Sequence, residues 1–177
     1  MKRGKEFENE IKNSLRYYKD VEKNVMFSKN ELLGGKFHFH EDLLPDFFVF
    51  TDRGIFWLLE CKKIQNKNSF PFWLLKKHQI KDLRRVSKWP NGKGVVLLNF
   101  RSPKKSEEKW NEVFAIPIRK FIKYVKSTDR KSLKRSWVQE NCMRLEKRKF
   151  EVPKTKKEGT VKISGWDIGK LLFKKED

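Results

Sequence analysis

Residues 45–63 read PDFFVFTDRGIFWLLECKK. Two runs rich in Phe, Val, Ile, Trp and Leu flank the polar turn Asp52-Arg53-Gly54, and each run reads as a strand buried on both faces. Asp46, Glu60 and Lys62 nevertheless stand inside this apolar block. An ionised side chain in such surroundings costs on the order of several kcal/mol unless something binds it. Whatever binds these three is the first clue to what the chain does.

A three-residue turn ending in Gly54, the residue that accepts a positive φ, sets the register of the hairpin. Residue numbers then pair to a sum of 106, which puts Asp46 opposite Glu60 with Cβ atoms about 5 Å apart. Lys62, two positions on, points to the same side. Carboxylates this close repel and resist ionisation unless a cation lies between them. Oxygen donors suit Mg²⁺, with Mn²⁺ also accepted, and Mg²⁺ keeps waters that can meet a phosphate and a nucleophile. A lysine alongside can orient or deprotonate the attacking water, or stabilise developing charge. Hydrolysis of a phosphodiester is the chemistry this equipment serves. Acidic-x-Lys also occurs at Glu10/Lys12, Glu107/Lys109 and Asp129/Lys131, but only at Glu60 does it lie in an apolar strand. The purely structural alternative is a cross-strand ion pair where a strand emerges into solvent.

Length and charge narrow the class of partner. At 177 residues the chain suits one domain, and its 15 Phe and 6 Trp are enough for a substantial core. Forty-three Lys and Arg oppose 23 Asp and Glu, a net charge of +20 that favours a polyanion, nucleic acid first. Residues 128–177 carry a net +7, leaving +13 in the first 127, so the charge is not confined to a tail. The opening MKRGKEFENE lacks the apolar core of a signal peptide, and no run approaches the ~20 apolar residues of a membrane span. Two distant cysteines, Cys61 and Cys142, fit a reducing compartment without disulfides. A cytoplasmic, nucleoid-associated location is expected.

Outward from the hairpin the elements follow in order. Residues 3–19 form a predicted helix with Phe7, Ile11, Leu15 and Tyr18 in one stripe. NVMFSKN is a predicted strand, and the glycines of ELLGG break structure before KFHFH. SFPFWLLKKHQIKDLRRVSKWP reads as a helix from about Ser69 to before Pro90, with Trp57 and Trp73 assigned to the core. GKGVVLLNF and EVFAIPI are predicted strands, and IRKFIKYVKS a short helix. The order of elements gives an α/β domain with a central mixed sheet flanked by helices. Residues 1–127 form the core and residues 128–177 a basic C-terminal extension.

PD followed by ECK, that is Asp46 with Glu60 and Lys62, resembles the PD-(D/E)xK nuclease superfamily. RGKEFE is similar to the first-helix pattern of its junction-resolving members, with Gly4 and then Glu8. FPFWLLKKHQI before the strand GVVLLNF resembles RecU-type Holliday junction resolvases, in which Phe-Pro precedes a helix bearing His-Gln, here His78 and Gln79. The likeness spans roughly residues 3–125. It implies a restriction-endonuclease-like core and a metal-dependent endodeoxyribonuclease acting on four-way DNA junctions as a homodimer. Asp46 and Glu60 would hold the metal, helped by Glu8; Lys62 would assist the nucleophile, and Gln79 would contact the attacking water or the scissile phosphate. Arg3, Lys5, His38, His40, Lys63, Lys76, Lys77, Arg84 and Arg85 are the candidate nucleic-acid contacts. Two departures are the short stretch between the early strands, Ser28–Leu44, and Pro45 in place of Thr before the aspartate. The alternatives are a sequence-specific homing or restriction-type enzyme of the same fold, and a non-catalytic basic nucleic-acid-binding protein.

Overall fold

The computed structural model of the chain describes residues 5–29, 45–155 and 158–174. The element order is α1 (Lys5–Asp20), β1 (Val25–Lys29), β2 (Phe47–Thr51), β3 (Phe56–Ile64), β4 (Ser69–Pro71), α2 (Lys77–Val86), β5 (Gly92–Arg101), β6 (Asn111–Pro117), α3 (Ile118–Lys126), β7 (Ser132–Lys134), α4 (Arg135–Asn141), β8 (Met143–Leu145), β9 (Lys147–Pro153), β10 (Thr160–Trp166) and α5 (Gly169–Leu172). Six strands form the main sheet in the order β1-β2-β3-β5-β6-β8. Only β3 and β5 run parallel; the other neighbours are antiparallel. The parallel pair needs a crossover, and α2 lies within it.

Strand β3 explains the apolar character of the opening stretch. Trp57, Leu59 and Cys61 enter the core beneath α1, while Leu58 and Ile64 enter the core beneath α2. The hairpin register pairs Phe47 with Leu59 and Val49 with Trp57, the register the sequence predicts, and Gly54 has φ +70°. Helix α1 buries Phe7, Ile11, Leu15 and Tyr18, the predicted stripe. Each such side chain contributes about 1.5–3 kcal/mol on burial.

The predicted helix from Ser69 divides into three pieces. Asn66 Oδ1 accepts from the N–H groups of Asn68 and Ser69, β4 pairs with β7, and residues 72–74 make a single 3-10 turn before α2 begins at Lys77. Pro71 has no N–H to donate and disfavours helix at Phe70, while the sheet partner is the distant Ser132–Lys134, where no local pattern reveals it. Trp73, predicted to be core, is 76% exposed.

Residues beyond 127 are built into both cores. Leu133 and Val138 pack beneath α2, and β8 extends the main sheet beside β6. The β9–β10 hairpin lies on α1, where Trp166, Ile168 and Leu172 join Phe7, Ile11 and Leu15. No helix among the described residues is long and apolar enough to cross a membrane.

Candidate active site

Asp46 stands one residue before β2, in line with the hairpin register, and so faces the end of β3 that carries Glu60 and Lys62. Glu60 is 2% exposed. Its Oε1 accepts from Lys62 Nζ at 2.7 Å and from Gln79 Nε2 at 2.7 Å, while its Oε2 is buried with no partner. Asp46 Oδ2 accepts from the Cys61 N–H at 2.6 Å. A β-strand alternates its faces, so Glu60 and Lys62 share the side covered by α2, and α2 delivers Gln79 to them.

Gln79 is buried in line with Leu83 and Val86, the apolar face of α2 that it interrupts. Its Oε1 accepts from the Lys76 N–H at 3.0 Å, so both ends of the amide are engaged and its orientation is set. The amide meets Glu60 rather than open solvent.

Burial is the largest cause raising the pKa of both acids. It pushes Asp46 up to about 7, with the charges of Glu60 and then Glu8 adding to the effect. Glu60 is raised by burial against the opposing pull of Lys62. Glu8, in the first turn of α1, thus reaches the pair through its field. Among the described residues no three His, Cys, Asp or Glu side chains gather as a metal cage.

Two hard carboxylates, one with an orphaned buried oxygen, do fit a cation that completes its shell with water and phosphate oxygens. Such an ion would favour the ionised form that burial disfavours in both acids, and would partner Glu60 Oε2.

The expected nucleic-acid contacts are dispersed. Lys76, Lys77 and Arg84 are exposed around α2, Arg85 pairs loosely with Asp82 at 3.5 Å, and Lys5 is exposed at the start of α1. Lys63 points to the other side of β3, where Glu6 holds it at 2.7 Å, so its charge is neutralised within the protein. Arg3, His38 and His40 lie outside the described residues.

Sequence reasoning missed the polar bracket behind this sheet end. Arg101 joins Glu10 at 2.5 Å and Glu6 at 3.3 Å, and Trp166 Nε1 donates to the same Glu10 oxygen at 2.9 Å. Acids at positions 6 and 10, one helical turn apart, were the available signal; their partners are some 90 and 150 residues away. The bracket ties α1, and with it Glu8, to β5 and β10.

Compared with curated proteins, the chain finds no match. The family described as Recombination protein U, RecU, matches residues 38–153, well over half of the chain and on both sides of residue 127. The six-stranded mixed sheet with its flanking helices is consistent with that family's restriction-endonuclease-like fold. The chain belongs to the RecU family of Holliday junction resolvases, metal-dependent endodeoxyribonucleases of the PD-(D/E)xK superfamily that act on branched DNA in recombination and repair.

Proposed function

We propose that the chain cuts four-way DNA junctions at a centre made of Asp46, Glu60, Lys62 and Gln79, with Mg²⁺ as its metal and Mn²⁺ as a substitute. The observation that carries this reading is the division of labour on Glu60: Lys62 and Gln79 both hold Oε1, and the buried Oε2 is left over. A purely structural carboxylate would have both oxygens satisfied, because an unpartnered buried acceptor costs about 1–3 kcal/mol.

In this reading Asp46 and Glu60 would hold the metal, with Glu8 supporting the site from α1. A divalent ion there supplies positive charge that polarises a phosphate oxygen and makes water a stronger acid. Gln79 fixes the plane of the Glu60 carboxylate through Oε1, which would leave Oε2 free for the ion. Lys62 Nζ has donors to spare beyond Glu60 and presents them to the attacking water or to a non-bridging phosphate oxygen. Attack on phosphorus in line with the leaving oxygen breaks one P–O bond, and the leaving oxygen takes up a proton. A homodimer would place two such centres on a two-fold axis, one for each of two opposed strands. A cytoplasmic location on the nucleoid accords with this work.

The test is cleavage of an end-labelled four-way junction beside linear duplex and single strand, in Mg²⁺ and in EDTA, with Glu60→Ala as control. Paired nicks in the junction alone, lost in EDTA and in the variant, are expected. Cutting of duplex at defined sites would replace this reading with a sequence-specific one. Tight binding without metal-dependent cutting would remove the catalytic assignment.

A further inference from the structure

Trp73 is the most exposed of the large apolar side chains among the described residues. It is not on a loose loop. The 3-10 turn that carries it is held from below: Phe70 is 1% exposed, β4 pairs with β7, and the Phe72 N–H donates to the Lys131 carbonyl at 3.0 Å. The Phe72 ring packs edge-on against Phe121 and Tyr124. An indole is thus presented to solvent on a rigid mount.

The mount stands beside the reaction centre. Trp73 is three residues from Lys76, so their Cα atoms lie within about 10 Å by chain reach. The charge of Lys76 is felt at Glu60, and its N–H holds Gln79. The surroundings are basic: Lys76 and Lys77 are exposed on one side, and residues 129–131 add Arg130 and Lys131 against one acid, Asp129. An exposed indole on a mount whose neighbouring segments carry exposed cations matches nucleic acid, which has π-faces and phosphates together, better than a protein surface.

Within an unbroken duplex each base face is covered by its neighbours. Stacking is interrupted only at ends, nicks and branches. Resting on the nuclease reading above, we infer that Trp73 stacks on a base exposed at the branch of the DNA junction and sets the branch point at a fixed distance from the scissile phosphate. It is a substrate-positioning residue that makes the enzyme select branched over linear DNA.

The test is binding, in EDTA so that nothing is cut, of a four-way junction carrying 2-aminopurine at the branch and of a linear duplex of equal length. Trp73→Ala should weaken junction binding about tenfold, as stacking on one base implies, and leave duplex binding and its salt slope unchanged. Trp73→Phe should recover most of the loss. The fluorescence change of 2-aminopurine on binding should vanish in the alanine variant, while its melting temperature stays that of wild type. Unchanged junction affinity with an unchanged 2-aminopurine signal would overturn the inference and leave Trp73 for a protein partner. In that case a wild-type enzyme that still cuts junctions would keep the nuclease reading intact. A wild type that neither prefers nor cuts junctions would end both.

Discussion

Asp46 and Glu60 give up their protons less readily in the folded protein than in the unfolded chain. The metal-free fold therefore binds more protons between the unfolded carboxyl value near 4 and the value of about 7 reached by Asp46. The stability they contribute is present below that window and is lost as pH rises through it, on the order of a few kcal/mol. Asp46→Asn should accordingly raise the melting temperature in EDTA at pH 8, with the gain shrinking toward pH 4. In wild type, Mg²⁺ or Mn²⁺ should raise the melting temperature at pH 8, since a ligand that binds only the folded state stabilises it. That metal response should be missing in Asp46→Asn. Gln79 invites a finer measurement. Gln79→Ala leaves Glu60 held by Lys62 alone, and the metal concentration for half-maximal cleavage should rise about 10–100-fold. A drop in maximal rate at unchanged metal requirement would instead place Gln79 against the substrate.

Among the elements, α2 decides whether the site assembles, and its seat on β5 is tight. A Cβ at Gly94 would lie 2.2 Å from the Leu83 carbonyl oxygen and 2.8 Å from Ser87 Oγ. Ser87 Oγ accepts from the Gly94 N–H and donates to that same carbonyl, so there is no slack to take up. Gly94→Ala should destabilise the protein by about 1–3 kcal/mol, read as a lower urea midpoint. Because the displaced helix carries Gln79, junction cleavage should fall even under conditions where the variant is fully folded. The β2–β3 hairpin was legible in advance for the opposite reason. Its register depends on a local turn and on alternation within a few residues, and both are written in one stretch. The strand β4 was not legible, since its partner β7 is a tertiary accident of the C-terminal segment.

At the scale of the whole molecule, the basic segment after residue 127 supplies structure as well as charge. β8 pairs with β6, and Trp166, fully buried, joins the core under α1 while its indole N–H satisfies Glu10. A fragment ending at residue 127 should lack cooperative unfolding in calorimetry and bind a hydrophobic dye, because it exposes the apolar faces that these strands cover. Trp166→Ala in the full chain should cost about 3–5 kcal/mol. The net charge of +20 acts at this scale too: junction affinity should fall steeply between low and moderate salt, with the slope counting the phosphates contacted.

By itself the sequence determined the polyanionic partner, the hairpin with its facing Asp46 and Glu60, the stripe of α1 and the family resemblance. All of these rest on charge or on spacing within a few tens of residues, where one dimension suffices. Only the tertiary structure decided that Lys63 is neutralised by Glu6, that Gln79 turns to Glu60, that Trp73 stands in solvent and that residues beyond 127 belong to the core. Each depends on which distant segment arrives opposite, and the number of apolar surfaces that could meet is far larger than local pattern can sort. The buried Glu60 lies where the two kinds of information join. Its strand is plain in the sequence, and its unpartnered oxygen is visible only once α2 has closed over it.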